Sequence, residues 1–281
     1  MADELGDAAA QGDVAIDLSV GEISTLCEIL GLTLPPVVGE APWAGASAEV
    51  ADVVRAANTE ALLARRVLES DDDGNVTVNE AVAGILTIAS EPQLVMRMSR
   101  EEDQWVQTRY VAAVPQVSVE LVGLQGNVLR IIPFLTATLV ERLRGFTGLN
   151  GAASASSASA TVPVETFEAC AEAVRSTDTA GAVEVLVAAG VDAEVAQGLV
   201  AALEQRTSSA RIDLIHRPEP GSVRGLELAW FESGAGPWVV DPVHGDEGEV
   251  EAMRFEPATD PGIVEQVITA MPEELAATLA H

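Results

Sequence analysis

The densest chemistry in the chain is one acidic stretch, Glu69-Ser70-Asp71-Asp72-Asp73-Gly74-Asn75-Val76-Thr77-Val78-Asn79-Glu80. Read as a calcium loop of the twelve-residue kind, it offers carboxylates at positions 1, 3, 5 and 12, a glycine at 6 and an apolar residue at 8. Glu69 is the departure, because a longer side chain than aspartate crowds an ion at the first position. Such loops ordinarily work in pairs, and this one has no partner. The same residues also read as an acidic turn, with Gly74 free to take a positive φ and Thr77 and Glu80 opening a helix as a capping box. Glu80 cannot serve as cap and as bidentate ligand at once. A calcium-responsive regulatory module is the alternative function this loop carries.

Other reactive residues are sparse. His216, His244 and His281 are the only histidines, and none stands in a recognisable arrangement with serine or cysteine. Cys27 and Cys170 lie far apart on separate apolar patterns, so neither a disulfide staple nor a zinc ribbon is implied. All 15 basic residues are arginine, and the absence of lysine removes Schiff-base and P-loop chemistry. A carboxylate-based hydrolase leaves no sequence signature and would need two buried acids facing one pocket. The expectation is therefore no catalytic residue, no resident metal and no cofactor.

Charge narrows the partners. The 281 residues carry 44 acids, for a formal net charge of −29, which repels phosphate backbones and anionic lipid headgroups. Nucleic acid and membrane surfaces are thus poor partners. Since 48% of the residues are apolar, the charge belongs to a folded surface, not to a disordered chain. The start, MADELGDAAAQGD, lacks the basic and apolar regions of a secretory leader, and no run approaches the ~20 apolar residues of a membrane helix. A cytoplasmic location is expected.

The elements that must position any site follow from periodicity. Val14–Leu18 reads as a short strand, and Ser19 with Glu22 as a capping box opening a helix whose stripe is Ile23, Leu26, Cys27 and Leu30, ended by Gly31 and Pro35-Pro36. A second helix is predicted from about Ser47 to Leu68, with Val50, Val53, Val54, Ala57 and Ala61 on its buried face. A third begins near Thr77 and stops before Pro92. The period then changes from 3.6 to 2: Leu94, Met96 and Met98 alternate with polar neighbours, as do Val117, Val119 and Leu121, and 105–111 and 128–132 are further strands. Pro133 suits the first turn of the next helix, which buries Leu135, Leu139 and Leu143.

Residues 150–161 form a Gly/Ser/Ala-rich linker, after which the plan restarts. Helices at 163–174, 180–189 and 192–204, strands at 212–216, 226–231, 237–241 and 250–256, and a helix at 263–270 follow. The chain thus divides into an N-terminal half, 1–149, and a C-terminal half, 162–281, that look like a duplication. Three pairs of markers support the repeat: Cys27 and Cys170 follow their helix starts alike with Glu22 and Glu165 in register, Arg130–Pro133 matches Arg254–Pro257 in spacing, and Trp105 falls near the place of Leu228–Trp230. Consecutive strands on short turns imply an α+β fold with a central, largely antiparallel sheet that the two halves share.

The candidate binding residues lie on that sheet. Trp230-Phe231 and Trp238-Val239 put large side chains on both faces of neighbouring strands, which requires a partner layer on each side. That layer is either the chain's own helices or another protein meeting an exposed patch. Arg97, Arg100, Arg109 and Arg130 concentrate in the first half's strands and could rim such a patch.

Several stretches together resemble the EspG family of type VII (ESX) secretion: LSVGEISTLCEILGLTLPP, ALLARRVLESDDDGNVTVNEAVAGILTIASEPQLVMRM, VPVETFEACAEAV, DTAGAVEVLVAAGVDAEVAQGLVAALE and GPWVVDPV with FEPATDPGIVEQVI. The similarity spans about Val14 to Ala270 and lies in order and spacing. It implies a central sheet with two helical bundles about a quasi-two-fold axis. It also implies an actinobacterial cytosolic chaperone that shields the apolar helical tip of a PE/PPE heterodimer until export. The family's contacts come mainly from the sheet and C-terminal helices, on strands and loops that vary between members, so Trp230, Phe231, Trp238 and Val239 are expected as partner-binding residues from their own two-faced apolar pattern. The Ala/Ser linker and the acidic loop His244–Glu251 depart from the family pattern, and a homodimer is left open.

Overall fold

Leu94, Met96 and Met98 alternate with polar neighbours because they stand on the inner face of a central strand. A computed structural model describes residues 15–71, 73–102, 105–149, 158–216, 222–234 and 236–279. The first half runs β1 (Ile16–Ser19), α1 (Val20–Leu30), α2 (Ala48–Ala64), a small hairpin of β2 (Leu68–Ser70) and β3 (Val76–Val78), then α3 (Glu80–Ser90). Four strands follow, β4 (Leu94–Glu102), β5 (Trp105–Ala113), β6 (Val117–Gly123) and β7 (Val128–Leu135), with α4 (Leu139–Thr147) closing the half. The second half repeats this as β8 (Ala160–Pro163), α5 (Val164–Arg175), α6 (Thr179–Ala188) and α7 (Ala193–Glu204). Its strands are β9 (Arg206–His216), β10 (Arg224–Ser233), β11 (Trp238–His244) and β12 (Val250–Pro257), followed by α8 (Asp260–Thr269) and α9 (Glu273–Leu279). Most of the linker expected at 150–161 lies outside the described residues.

Ten strands make one sheet in the order β1-β7-β6-β5-β4-β9-β10-β11-β12-β8. Every described pair is antiparallel, and β4 and β9 join the halves from Leu94↔His216 to Glu101↔Ser209. The order is a palindrome once each strand of the first half is matched to its counterpart in the second. Setting Arg130 and Pro133 against Arg254 and Pro257, the registers carry the match inward strand by strand. They end with Met98 and Ile212 opposite each other and equivalent, so the pseudo-two-fold axis passes between them.

Two of the expected markers of the repeat shift. Trp105, at the start of β5, matches Arg224, not Leu228–Trp230, and is 77% exposed. Counting from β1 and β8, Cys27 falls one residue out of step with Cys170, and so does Glu22 with Glu165.

Three apolar clusters fill the two sides. On one face, α4, α8 and α9 cover the middle strands, burying Leu94, Met96, Met98, Ile212, Leu214, Leu228 and Trp230. On the other, α1–α3 cover the first half's outer strands, and α5–α7 cover the second half's. The two three-helix groups stand apart, so between them this face of β4 and β9 carries Arg97, Ser99, Glu101, Ser209 and Arg211, none of them fully buried.

Local signals set the helix starts. Ser19 Oγ accepts from Glu22 N at 3.1 Å and Ser19 N donates to Glu22 Oε2 at 2.7 Å, the capping box read from sequence. The third helix is capped differently: Asn79, not Thr77, accepts from Ala81 N and Val82 N, because Thr77 is held in β3 opposite Glu69. Pro133 stays in β7 opposite Val119. Among the described pairs β1 reaches only Ile131, so one side of Pro133 has no strand to miss its N–H. In α2 the expected apolar face is turned outward. Val50 and Val53 are exposed while Ala51 and Leu62 are buried, and Leu68 has left the helix for β2.

Candidate functional site

Trp230, Phe231, Trp238 and Val239 are all buried, at 1, 4, 1 and 4% exposure. Trp230 and Val239 point into the cluster under α4, α8 and α9, whereas Phe231 and Trp238 point the other way under α5–α7. Their two-faced apolar pattern is therefore accounted for by the chain's own two helical layers, and they form no exposed patch. Phe231 and Trp238 lie opposite each other in the β10–β11 pair with rings nearly parallel, 6.5 Å between centroids.

What lies beside them is open. A groove of about 320 Å³ runs between the middle strands and the second helical group. Phe167 of α5, Leu203 of α7 and Phe255 of β12 line it, with Ser209, Ala229, Trp230, Phe231 and Val240 of the sheet, so two of the four expected residues border it themselves. Phe167 and Phe255 stack obliquely, 5.0 Å between centroids, which fixes the aromatic wall. Val106, which is 69% exposed, lies at the rim.

The pseudo-two-fold gives this groove a counterpart. In the registers, Val95, Tyr110, Ala112 and Leu121 are the equivalents of Ser209, Ala229, Phe231 and Val240. The first four line a cavity of only about 10 Å³, closed by Pro35, Pro36 and Val37. These three belong to the long connection from α1 to α2, Gly31 to Ser47, which packs Leu32, Leu34, Val37 and Val38 onto the first half's core. The matching connection from α5 to α6 is Ser176 to Asp178 and cannot reach across. The second-half groove is open because its strap is missing.

A charged row borders the groove. Arg97 and Arg211 are pseudo-two-fold equivalents, and both approach the carboxylate of Asp213, at 3.8 and 2.8 Å. Arg211 also reaches Glu227 at 3.1 Å, and these carboxylates hold its guanidinium above its ordinary pKa. Of the other arginines expected at the rim, Arg100 does line the groove, and all three are held by groups of the chain itself. Arg130 makes a bidentate pair with Asp17, Arg109 meets Glu120 at 2.8 Å, and Arg100 donates to Phe146 O.

The acidic stretch is not an ion cradle in the described residues. It folds as the β2–β3 hairpin, and both oxygens of Asp71 are taken by the turn itself. Oδ1 accepts from the amides of Asp73 and Asn75, and Oδ2 from Asn75 Nδ2. The Asn75 side chain and amide hold the Asp71 carboxyl below its usual range. Asp72 lies outside the described residues. Among those described, no three histidine, cysteine or acidic side chains cluster as metal ligands.

The nucleophile candidates are dispersed. His216 is nearly buried at the end of β9, His244 contacts Gly248 O in an exposed turn, and His281 lies outside the described residues. Both cysteines are buried, which pushes their thiols up and away from reactivity. Glu232 and Asp260 are two neighbouring buried acids that periodicity did not single out. Burial, with help from Asp260, pushes the Glu232 carboxyl up to about 7, while Trp230 Nε1 donates to it at 3.1 Å. Neither acid lines the groove. Among the described residues, no helix is long and apolar enough to cross a membrane.

The EspG family model matches residues 19–268. Among solved structures, the chain is similar to the Mycobacterium tuberculosis type VII secretion system chaperone EspG5, whose structure is in complex with a PE25–PPE41 dimer. The identity is 15% and the TM-score 0.58, over 92% of this chain and 98% of that one, so the likeness is one of fold. No curated protein matches the chain.

Proposed function

The chain belongs to the EspG family, and from that premise we propose that it is a chaperone of type VII secretion that binds a PE/PPE-type heterodimer. The observation that carries this reading is an open, largely apolar groove on a sheet whose three apolar clusters are otherwise covered by the chain's own helices. An exposed apolar channel of this kind marks a protein-binding site. Trp230 and Phe231 would then form part of the groove's rigid floor and wall, with Trp238 and Val239 behind them, and the partner would meet these beside Phe167, Leu203 and Ala229. In this reading the halves 1–149 and 162–281 are one binding body joined by 150–161, the protein works in the cytoplasm, and it catalyses no reaction.

The charge supports the same function. A net charge of −29 keeps a complex soluble while its apolar contact is hidden. Co-expression with a PE/PPE pair encoded beside the gene is expected to give a soluble complex that co-elutes on size exclusion. Partners that remain insoluble, or that elute apart from the chaperone, would refute the proposal.

A further inference from the structure

The closed first-half site shows what the open one is shaped to hold. Pro35 to Val38 form a turn, with Val38 N donating to Pro35 O at 2.9 Å and Pro36 at the position where proline's fixed φ favours a turn. Pro35 is buried and Val37 half-buried against Val95, Tyr110 and Leu121. A preformed apolar turn thus fills a site whose sheet residues are the equivalents of Ser209, Ala229 and Val240.

We propose that the second-half groove takes an apolar, proline-nucleated turn of the partner, seated where Pro35–Val38 sits in the first half. This rests on the groove being the partner site. Three differences between the copies favour an occupant from outside. The strap is missing, Tyr110 is replaced by the smaller Ala229, and Ala112 is replaced by Phe231, so the floor is deeper and one wall more aromatic. A turn already bent by proline loses little conformational entropy on docking, which suits a small, mostly apolar groove with a charged border.

The test uses the full chain and a synthetic peptide of the strap's own sequence, Thr33 to Gly39, added in trans up to millimolar concentration. Saturable amide shifts in two-dimensional NMR are expected at Phe167, Leu203 and Ala229. Ala229→Trp and Ser209→Trp, which fill the groove from the sheet, are each expected to weaken binding at least tenfold. The peptide is also expected to displace a PE/PPE partner from the complex. If the partner binds and both tryptophan variants block it, but the peptide binds nowhere or away from the groove, the turn proposal is overturned and the chaperone reading stands. If no PE/PPE pair binds the wild-type chain, the chaperone reading itself fails.

Discussion

Met98 and Ile212 face each other across the β4–β9 pair, and each is the other's equivalent about the axis that relates the two halves. Both are buried, at 1 and 0% exposure, in the cluster under α4, α8 and α9. The junction between the halves is therefore core, not a linker-spanned gap. Truncating either to alanine leaves a cavity, and each single variant is expected to cost about 2–5 kcal/mol in urea unfolding. The double variant should cost less or more than the sum by about 0.5 kcal/mol or beyond, because the side chains share one site. Unfolding should remain one transition. Two resolved transitions would mean that the halves are stable apart.

Glu120 is 1% exposed and is held by Arg109 at 2.8 Å and by Arg142 at 3.1 Å, which ties β6 to β5 and to α4. Each guanidinium also lies over a ring, Arg109 on Phe146 and Arg142 on Phe134. Removing the shared carboxylate leaves two cations beside an apolar cluster. Glu120→Ala is expected to destabilise by about 3–5 kcal/mol, against less than about 1 kcal/mol for Asp213→Asn, whose pairs face solvent. Chemical denaturation of the two variants side by side checks the contrast.

Periodicity reveals the sheet and most helices because those signals are local. Leu94-Met96-Met98 can alternate only on a half-covered strand, and Ser19 with Glu22 needs only one helical turn to declare itself. Short elements escape: β8 is four residues with no distinctive pattern, and β2 and β3 have three residues each within an acidic turn. The groove was illegible for another reason. Phe167, Leu203 and Ala229 are distant in sequence, and what opens the site is the shortness of the connection from α5 to α6. Pro35-Pro36 reads as the end of a helix, and only the register of the paired strands shows that it fills a site. The two-faced pattern of Trp230 and Phe231 correctly demanded two covering layers, both of which the chain itself supplies.

Glu232 gives stability a distinctive pH dependence. Its carboxyl is pushed up to about 7 by burial and by Asp260, from an ordinary value of 4.5. The folded state therefore favours the protonated form. That stabilisation is complete below about 4.5 and is lost as the pH rises through about 7. Glu232→Gln keeps an oxygen for Trp230 Nε1 and carries no charge. It is expected to match the wild type near pH 4 and to exceed it near pH 8 by on the order of 1–3 kcal/mol. Equal melting temperatures of the two proteins at both pH values would show that the fold does not raise the Glu232 carboxyl above its ordinary range.

Asp71 closes the β2–β3 turn with its own carboxylate, so an ion would have to displace three hydrogen bonds to Asp73 and Asn75. Millimolar calcium is expected to leave the melting temperature where a chelator leaves it. Asp71→Ala should loosen the hairpin with or without calcium, seen as faster amide exchange at Asn75. A calcium-dependent rise in melting temperature that disappears in Asp71→Ala would restore the regulatory reading of the loop.

The strap in the first half makes the last prediction, since it tests the equivalence of the two sites from the closed side. Pro35 is buried where it shuts the cavity beside Val95, Tyr110 and Leu121. A carboxylate there meets no partner among those apolar walls, so Pro35→Asp should expel the turn at a cost of about 1–3 kcal/mol. Expulsion uncovers a second apolar groove related to the first by the Met98–Ile212 axis. The variant is therefore expected to bind an apolarity-sensitive dye more strongly than the wild type. Adding Ala229→Trp should remove the second-half share of that signal and leave the first-half share. If Pro35→Asp gains no dye binding while its stability falls, the region beneath the strap collapses when the turn leaves, and the first-half site is packing without a cavity of its own.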